Sequence, residues 1–251
     1  MRFPAFFLLF ASLIIFSCQK QDQAETIIDK AIAYHGGAAY DKIDLEFDFR
    51  DKHYIVQKKG GDFHYERIQT DSTGTEIRDI LTNAEAYRTI GGQRQNLPDT
   101  TMDKYKNSVN SVAYFLLLPQ PLRDPAVQKE YVGEVTIRGK SYDKIKVSFR
   151  PEGGGKDHED VFVFYFDKED GSMDYLSYLY YIAETGMRFR EAYNPQRVGG
   201  ILVQDYINFA PTDSTLAVTD ENLLSLDKLY EEGQLTEFSR IENKNFKASG
   251  N

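Results

Sequence analysis

The groups able to do chemistry in this 251-residue chain are scattered arginines, four histidines and one cysteine. Arg50 follows the alternating Phe47 and Phe49, while Arg188 and Arg190 stand two apart and so share one face of a strand. A guanidinium so placed holds a carboxylate or phosphate through paired hydrogen bonds at a cavity mouth. The alternative is pairing with Asp48, Asp51, Glu191 or Asp205, as ordinary ion pairs. The histidines are His35, His53, His64 and His158, none at ligand spacing from another. An enzymatic reading joins His35 and His158, the latter beside Glu159 and Asp160, in a metal or hydrolytic centre; the plainer reading makes them surface and capping groups. No Gly-x-Ser-x-Gly elbow, phosphate-binding Walker loop, His-Glu-x-x-His pair or dinucleotide glycine pattern occurs. Gly153-Gly154-Gly155-Lys156 reads as a hairpin, and Asp167 to Gly171 as an Asp-Gly turn. The expectation is a protein with no catalytic residues, metal or cofactor.

Cys18 carries a sharper signal. Arg2 precedes an apolar run from Phe3 to Phe16, which ends in Ser17-Cys18. The arrangement resembles the bacterial lipobox, in which a small residue precedes the cysteine that is acylated and becomes the first residue of the mature chain. The run is shorter than the ~20 residues a spanning helix needs. Residues 1–17 therefore read as a lipoprotein signal peptide, residues 18–23 as lipidated cysteine and spacer, and residues 24–251 as a single domain. A cleaved secretory signal with an incidental cysteine is the alternative. The lipid anchor is the expected link to the membrane.

Composition narrows the partners. A formal charge of -9 makes nucleic acid or an anionic lipid surface an unfavourable partner, since both are bound through positive charge. One cysteine permits no internal disulfide, so stability rests on the core. Seventeen Phe and seventeen Tyr supply the area for it.

The elements that must position these groups are mostly strands. Ile27, Ile28, Ala31 and Ile32 have helical spacing, and His35-Gly36-Gly37 stops that helix. From Asp41 the period becomes two, with Ile43, Leu45, Phe47 and Phe49 on one side and Asp44, Glu46, Asp48 and Arg50 on the other. Strands follow at 53–58, 63–68, 75–82 and 85–90, joined by turns too short for parallel crossovers. A helix over 99–118 ends at Pro119, and strands resume at 130–137, 141–149, 161–166, 173–181, 187–193 and 201–209. A last helix over 220–232 precedes a closing strand at 236–243. The fold class is α+β, a large antiparallel half-open barrel of about eleven strands with helices lidding the concave face.

Two strands, 161–166 and 173–181, are apolar or aromatic on both faces, so both faces must be covered. Helices on one face and a partner surface on the other would do it. Three helices do not fill the concave side of eleven strands, which leaves either a cavity lined by Phe and Tyr or an ordinary aromatic core. The residues assigned to a ligand are Phe47, Phe49, Tyr54, Phe63, Phe164 and Tyr175 for its apolar part, and Arg50 and Arg190 for its head group.

His35-Gly36-Gly37, Phe47-Asp48-Phe49-Arg50-Asp51 with Tyr54, Arg188-Phe189-Arg190, Gly199-Gly200-Ile201 and Asp205-Tyr206 together resemble a family of uncharacterised bacterial lipoproteins with a domain of unknown function. The order of helix, strands, mid-chain helix and strands is similar to the lipoprotein-localisation (Lol) carrier fold, a half-closed barrel whose helices lid an apolar cavity holding acyl chains. The resemblance implies a lipid-anchored envelope protein, at the outer membrane on its periplasmic or surface face, that binds a hydrophobic or amphipathic ligand. An interaction module for another envelope protein is the alternative, and a hydrolase using His35 and His158 the third.

Overall fold

The helical spacing after Ala24 forms α1, residues 22–35, in the computed structural model, which describes residues 22–152, 159–181 and 185–249. Ala24, Ile28, Ala31 and Ile32 are the buried stripe of α1, and Gly37 at φ 53 turns the chain into a short 3-10 helix, Gly37–Asp41. Backbone proximity divides the chain into two compact units. One holds the segments ending at Tyr34, Arg123–Glu191 and Phe209–Phe238; the other holds His35–Leu122, Ala192–Asn208 and the segment from Ser239.

In the second of these units the expected meander is present. Strands β1 Lys42–Phe49, β2 Lys52–Lys59, β3 Asp62–Thr70, β4 Glu76–Thr82, β5 Ala86–Ile90 and the two-residue β6 Gln93–Arg94 pair in chain order. Helix α2, Asp99–Leu116, lies against β3, β4 and β5 and buries Val109, Ala113 and Leu116. The register keeps Ile43, Leu45, Phe47 and Phe49 on one face with Val56, Tyr65 and Leu81. The opposite face carries hydrogen-bonded polar groups such as His53 with Asp48 and His64 with Glu66, the alternation an antiparallel sheet shows when one side is packed.

The second sheet also runs in chain order: β7 Val127–Ile137, β8 Lys140–Phe149, β9 Val161–Asp167, β10 Met173–Tyr180, β11 Gly186–Val198, β12 Ile201–Pro211 and β13 Leu235–Ile241. The last strand, β14 Asn243–Ala248, pairs with β1 instead and becomes the far edge of the first sheet. Each sheet has seven strands and neither closes on itself, so the class is α+β with open antiparallel sheets. The fourteen described strands are the eleven expected, the expected closing strand as β13, and two more, β6 and β14. The expected last helix is two, α3 Asp220–Leu224 and α4 Leu226–Glu231, broken at Ser225.

Helices cover both faces of β9 and β10 in the first unit. Leu223 of α3 and Leu226 of α4 pack with Val163, Tyr165, Tyr175, Leu179 and Phe189 on one face. On the other, Phe162, Phe164 and Phe166 stack at 5.9 and 6.2 Å. Asp143 shares that second face through its register with Phe166, and Lys30 of α1 stands beside it. Lys30 also donates to the carbonyls of Lys168 and Glu169 at 2.7 and 3.0 Å, which fixes α1 on this side. The chain's own helices thus supply the cover that the two-faced apolar pattern demands.

Candidate functional site

The assigned residues gather in two places on the sheets. In the first sheet, Phe47 of β1 stands opposite Tyr54 of β2, with ring centres 5.5 Å apart, and Phe246 of β14 stacks on Phe47 at 5.4 Å. Phe49 is half-buried and touches the same Tyr54 ring at 6.3 Å. Arg50 occupies the left-handed turn at φ 56, with its guanidinium carbon 5.1 Å from the Phe49 ring centre. Phe63 lies further along β3, half-buried and stacked on Tyr65 at 4.8 Å.

The same row continues beyond Tyr54 into charge. Tyr54 pairs with Arg67 of β3, Arg67 with Asp79 of β4, and Asp79 with Arg88 of β5. Arg67 donates from Nε and Nη2 to Asp79 Oδ2 at 3.0 and 2.7 Å; Arg88 donates from Nε to Oδ1 at 2.6 Å and from Nη2 to Oδ2 at 2.9 Å. From α2, Ser108 Oγ accepts from Arg67 Nη1 and the Tyr105 ring lies 3.4 Å from the Arg88 guanidinium carbon. Burial raises the Tyr54 phenol above its ordinary pKa, with the Arg67 charge opposing. The sequence does carry a signal for this row: Asp79 sits between Ile77 and Leu81 at the inward parity of its strand, where an apolar residue is expected.

In the second sheet the assigned residues lie on both faces. Phe164 pairs with Leu176 and Leu176 with Arg190, so Phe164 and Arg190 share the α1 side. Tyr175 pairs with Tyr165 on the other side, against Tyr142 at 5.3 Å and Phe189 at 5.6 Å. Burial pushes the Tyr175 phenol up to about 12. Arg190 is buried, donates to the Tyr178 hydroxyl at 3.0 Å and lies 4.7 Å from that ring centre. The carboxylates near it in sequence are engaged elsewhere. Glu191 accepts from Tyr230 at 2.6 Å and from Arg138, and Asp205 accepts from Asn194 Nδ2 and the Asn243 amide. For Arg50 the same holds, with Asp48 bonded to His53 and Asn245 and Asp51 to Lys52.

The remaining motifs hold the scaffold. A β-carbon on Gly36 would lie 2.8 Å from Ile201 Cγ2, and one on Gly200, at φ 87, would lie 2.8 Å from the Ala39 β-carbon. His35-Gly36-Gly37 and Gly199-Gly200-Ile201 therefore pack on one another. His35 is buried at the end of α1. His158 and Cys18 lie outside the described residues, as do the hairpin glycines 153–155. Among the described residues no group of three His, Cys, Asp or Glu is placed to hold a metal, and no helix is long and apolar enough to cross a membrane.

Comparison with known proteins finds the fold likeness among solved structures. A LolA superfamily protein from Nitrosomonas europaea is 11% identical, with 90% of this chain and 94% of that chain covered at a TM-score of 0.47. A domain described as an outer membrane lipoprotein-sorting protein from Vibrio parahaemolyticus is 6% identical, covering 91% and 93% at 0.43. A DUF1329 family protein from Desulfovibrio piger is 8% identical, covering 90% and 92% at 0.39. No curated protein matches the sequence. A family model does, over residues 4–243, and the chain belongs to that family, the Family of unknown function (DUF6503).

Proposed function

We propose that this is a lipid-anchored cell-envelope protein that binds a hydrophobic or amphipathic ligand without covalent chemistry. The observation that carries the reading is the placement of guanidinium groups beside aromatic rings: Arg50, in the turn after β1, over the Phe49 ring that adjoins Tyr54, and Arg190 on the same sheet face as Phe164. Rings offer surface to an acyl chain, and guanidiniums fit an acidic head group. Half-buried Phe49 and Phe63 are the rings with surface left to offer. Acylated Cys18 would hold the domain at the outer membrane, on either its periplasmic or its surface face.

Titration of the purified protein with a fatty acid and with its methyl ester tests the reading. Saturable binding at micromolar concentration is expected for both. No saturation by either returns the question to the second reading, an interaction module. One observation favours that rival: Phe238, 62% exposed, sits on β13 at the edge of its sheet, where backbone groups are open to another strand.

A further inference from the structure

The buried charge row on the first sheet does not balance. Among the described residues Asp79 is the carboxylate that both Arg67 and Arg88 bind, so two guanidinium charges meet one negative charge. All three side chains belong to residues that are nine-tenths or more buried, with exposures of 8%, 2% and 9% for Arg67, Asp79 and Arg88. Charges removed from water are held by counter-charges, because little else repays their lost hydration. Here the second cation is met by neutral groups, the Ser108 hydroxyl on Arg67 Nη1 and the Tyr105 ring face on Arg88. An anionic oxygen in place of either would make a bond about twice as strong as a neutral one. The surplus is also not a by-product of a basic chain, whose formal charge is -9.

We propose that Arg67 and Arg88 bind the carboxylate or phosphate group of an anionic amphiphile whose chain lies against half-buried Phe63, on the same face of β3 as Arg67. This rests on the ligand-binding reading above and moves the head-group site from Arg50 or Arg190 to a buried pair. A strand rises about 3.4 Å per residue, so Phe63, four residues before Arg67 on β3, lies about 14 Å from it along the strand, a distance an alkyl chain spans.

Equilibrium dialysis of the full-length protein against dodecyl phosphate, dodecanol and inorganic phosphate separates the outcomes. Dodecyl phosphate should bind about tenfold to hundredfold more tightly than dodecanol, the worth of one hydrogen bond to a charged group. Arg88→Gln leaves a neutral Arg67–Asp79 pair and should abolish that preference. Should Arg88→Gln fail to fold, the unsubstituted protein still decides, because equal affinity for dodecyl phosphate and dodecanol overturns the inference. Binding of both alcohol and phosphate without preference leaves the ligand-binding reading intact; binding of neither removes that reading too. Inorganic phosphate held as tightly as dodecyl phosphate would assign the site to a free anion and overturn the amphiphile.

Discussion

Gly36 and Ile201 approach so closely that a methyl group at position 36 would stand 2.8 Å from Ile201 Cγ2 and 3.2 Å from its α-carbon. One neighbour is backbone, which gives little. Gly36→Ala should therefore destabilise the fold by about 1–3 kcal/mol, the usual cost of overpacking. Urea unfolding measures it, and a variant as stable as the parent would mean the two segments are not in contact in solution.

Phe47 and Phe164 are both fully buried, at 0% exposure. Truncation of either to Ala should cost about 3–5 kcal/mol, because lost transfer energy and the cavity left behind add together. Chemical denaturation reads the loss. A cost below about 1 kcal/mol would show that the ring lines space already open to a ligand and is not packed against protein.

Asp79→Asn should be among the most damaging single changes, at about 3–5 kcal/mol, since it leaves two buried guanidiniums without their carboxylate. Glu85→Gln removes the partner of Arg94 at the surface, where both groups are open to water. It should change thermal stability far less than Asp79→Asn. Equal shifts in Tm would contradict the burial of the Asp79 row.

Two aspartates should give opposite pH signatures. Hydrogen bonds from Asn245 and then His53 hold Asp48 below its ordinary pKa, so its contribution is present above the usual carboxylate range and fades as the pH falls through the folded-state value. Burial holds Asp143 above its ordinary pKa; its charged form costs stability at neutral pH, and the cost is relieved on acidification to the usual carboxylate value. Asp48→Asn should lower Tm at pH 7, Asp143→Asn should raise it, and both differences should shrink in acid. Parallel curves at all pH values would rule this out.

Cys18→Ser should leave the protein unprocessed or released from the membrane, because an acyl anchor is the attachment proposed for it. Metabolic labelling with palmitate and membrane fractionation check this. A variant that still labels and still sediments would end the proposal.

Much of the fold is legible in the sequence wherever burial is one-sided. Ile43 to Phe49 alternate because one face of β1 packs under protein and the other meets water, and the register follows from that parity. β14 escapes notice because Asn243–Ala248 has no such alternation; it is a strand through its pairing with β1, distant in the chain. The break at Ser225 is hidden for another reason, since the apolar spacing of Leu223, Leu224 and Leu226 runs through it. The arginines flanking aromatic runs stand out as single residues. Arg67, Asp79 and Arg88 look like isolated charges until pairing sets them side by side, and pairing across strands is information a linear reading lacks.

The order in which the segments leave the ribosome has a cost written into this architecture. α1 is made well before the strands it covers, which arrive only with residues 123–191, and the unit is complete only after Phe238. Residues His35–Leu122, by contrast, join near neighbours and can pair as soon as they are made. Contacts far apart in sequence close slowly, so Ala24, Ile28, Ala31 and Ile32 remain a bare apolar stripe through most of synthesis. Such a stripe is sticky. Shielding of this short stretch while the chain is being made would keep the unit from aggregating before its strands arrive.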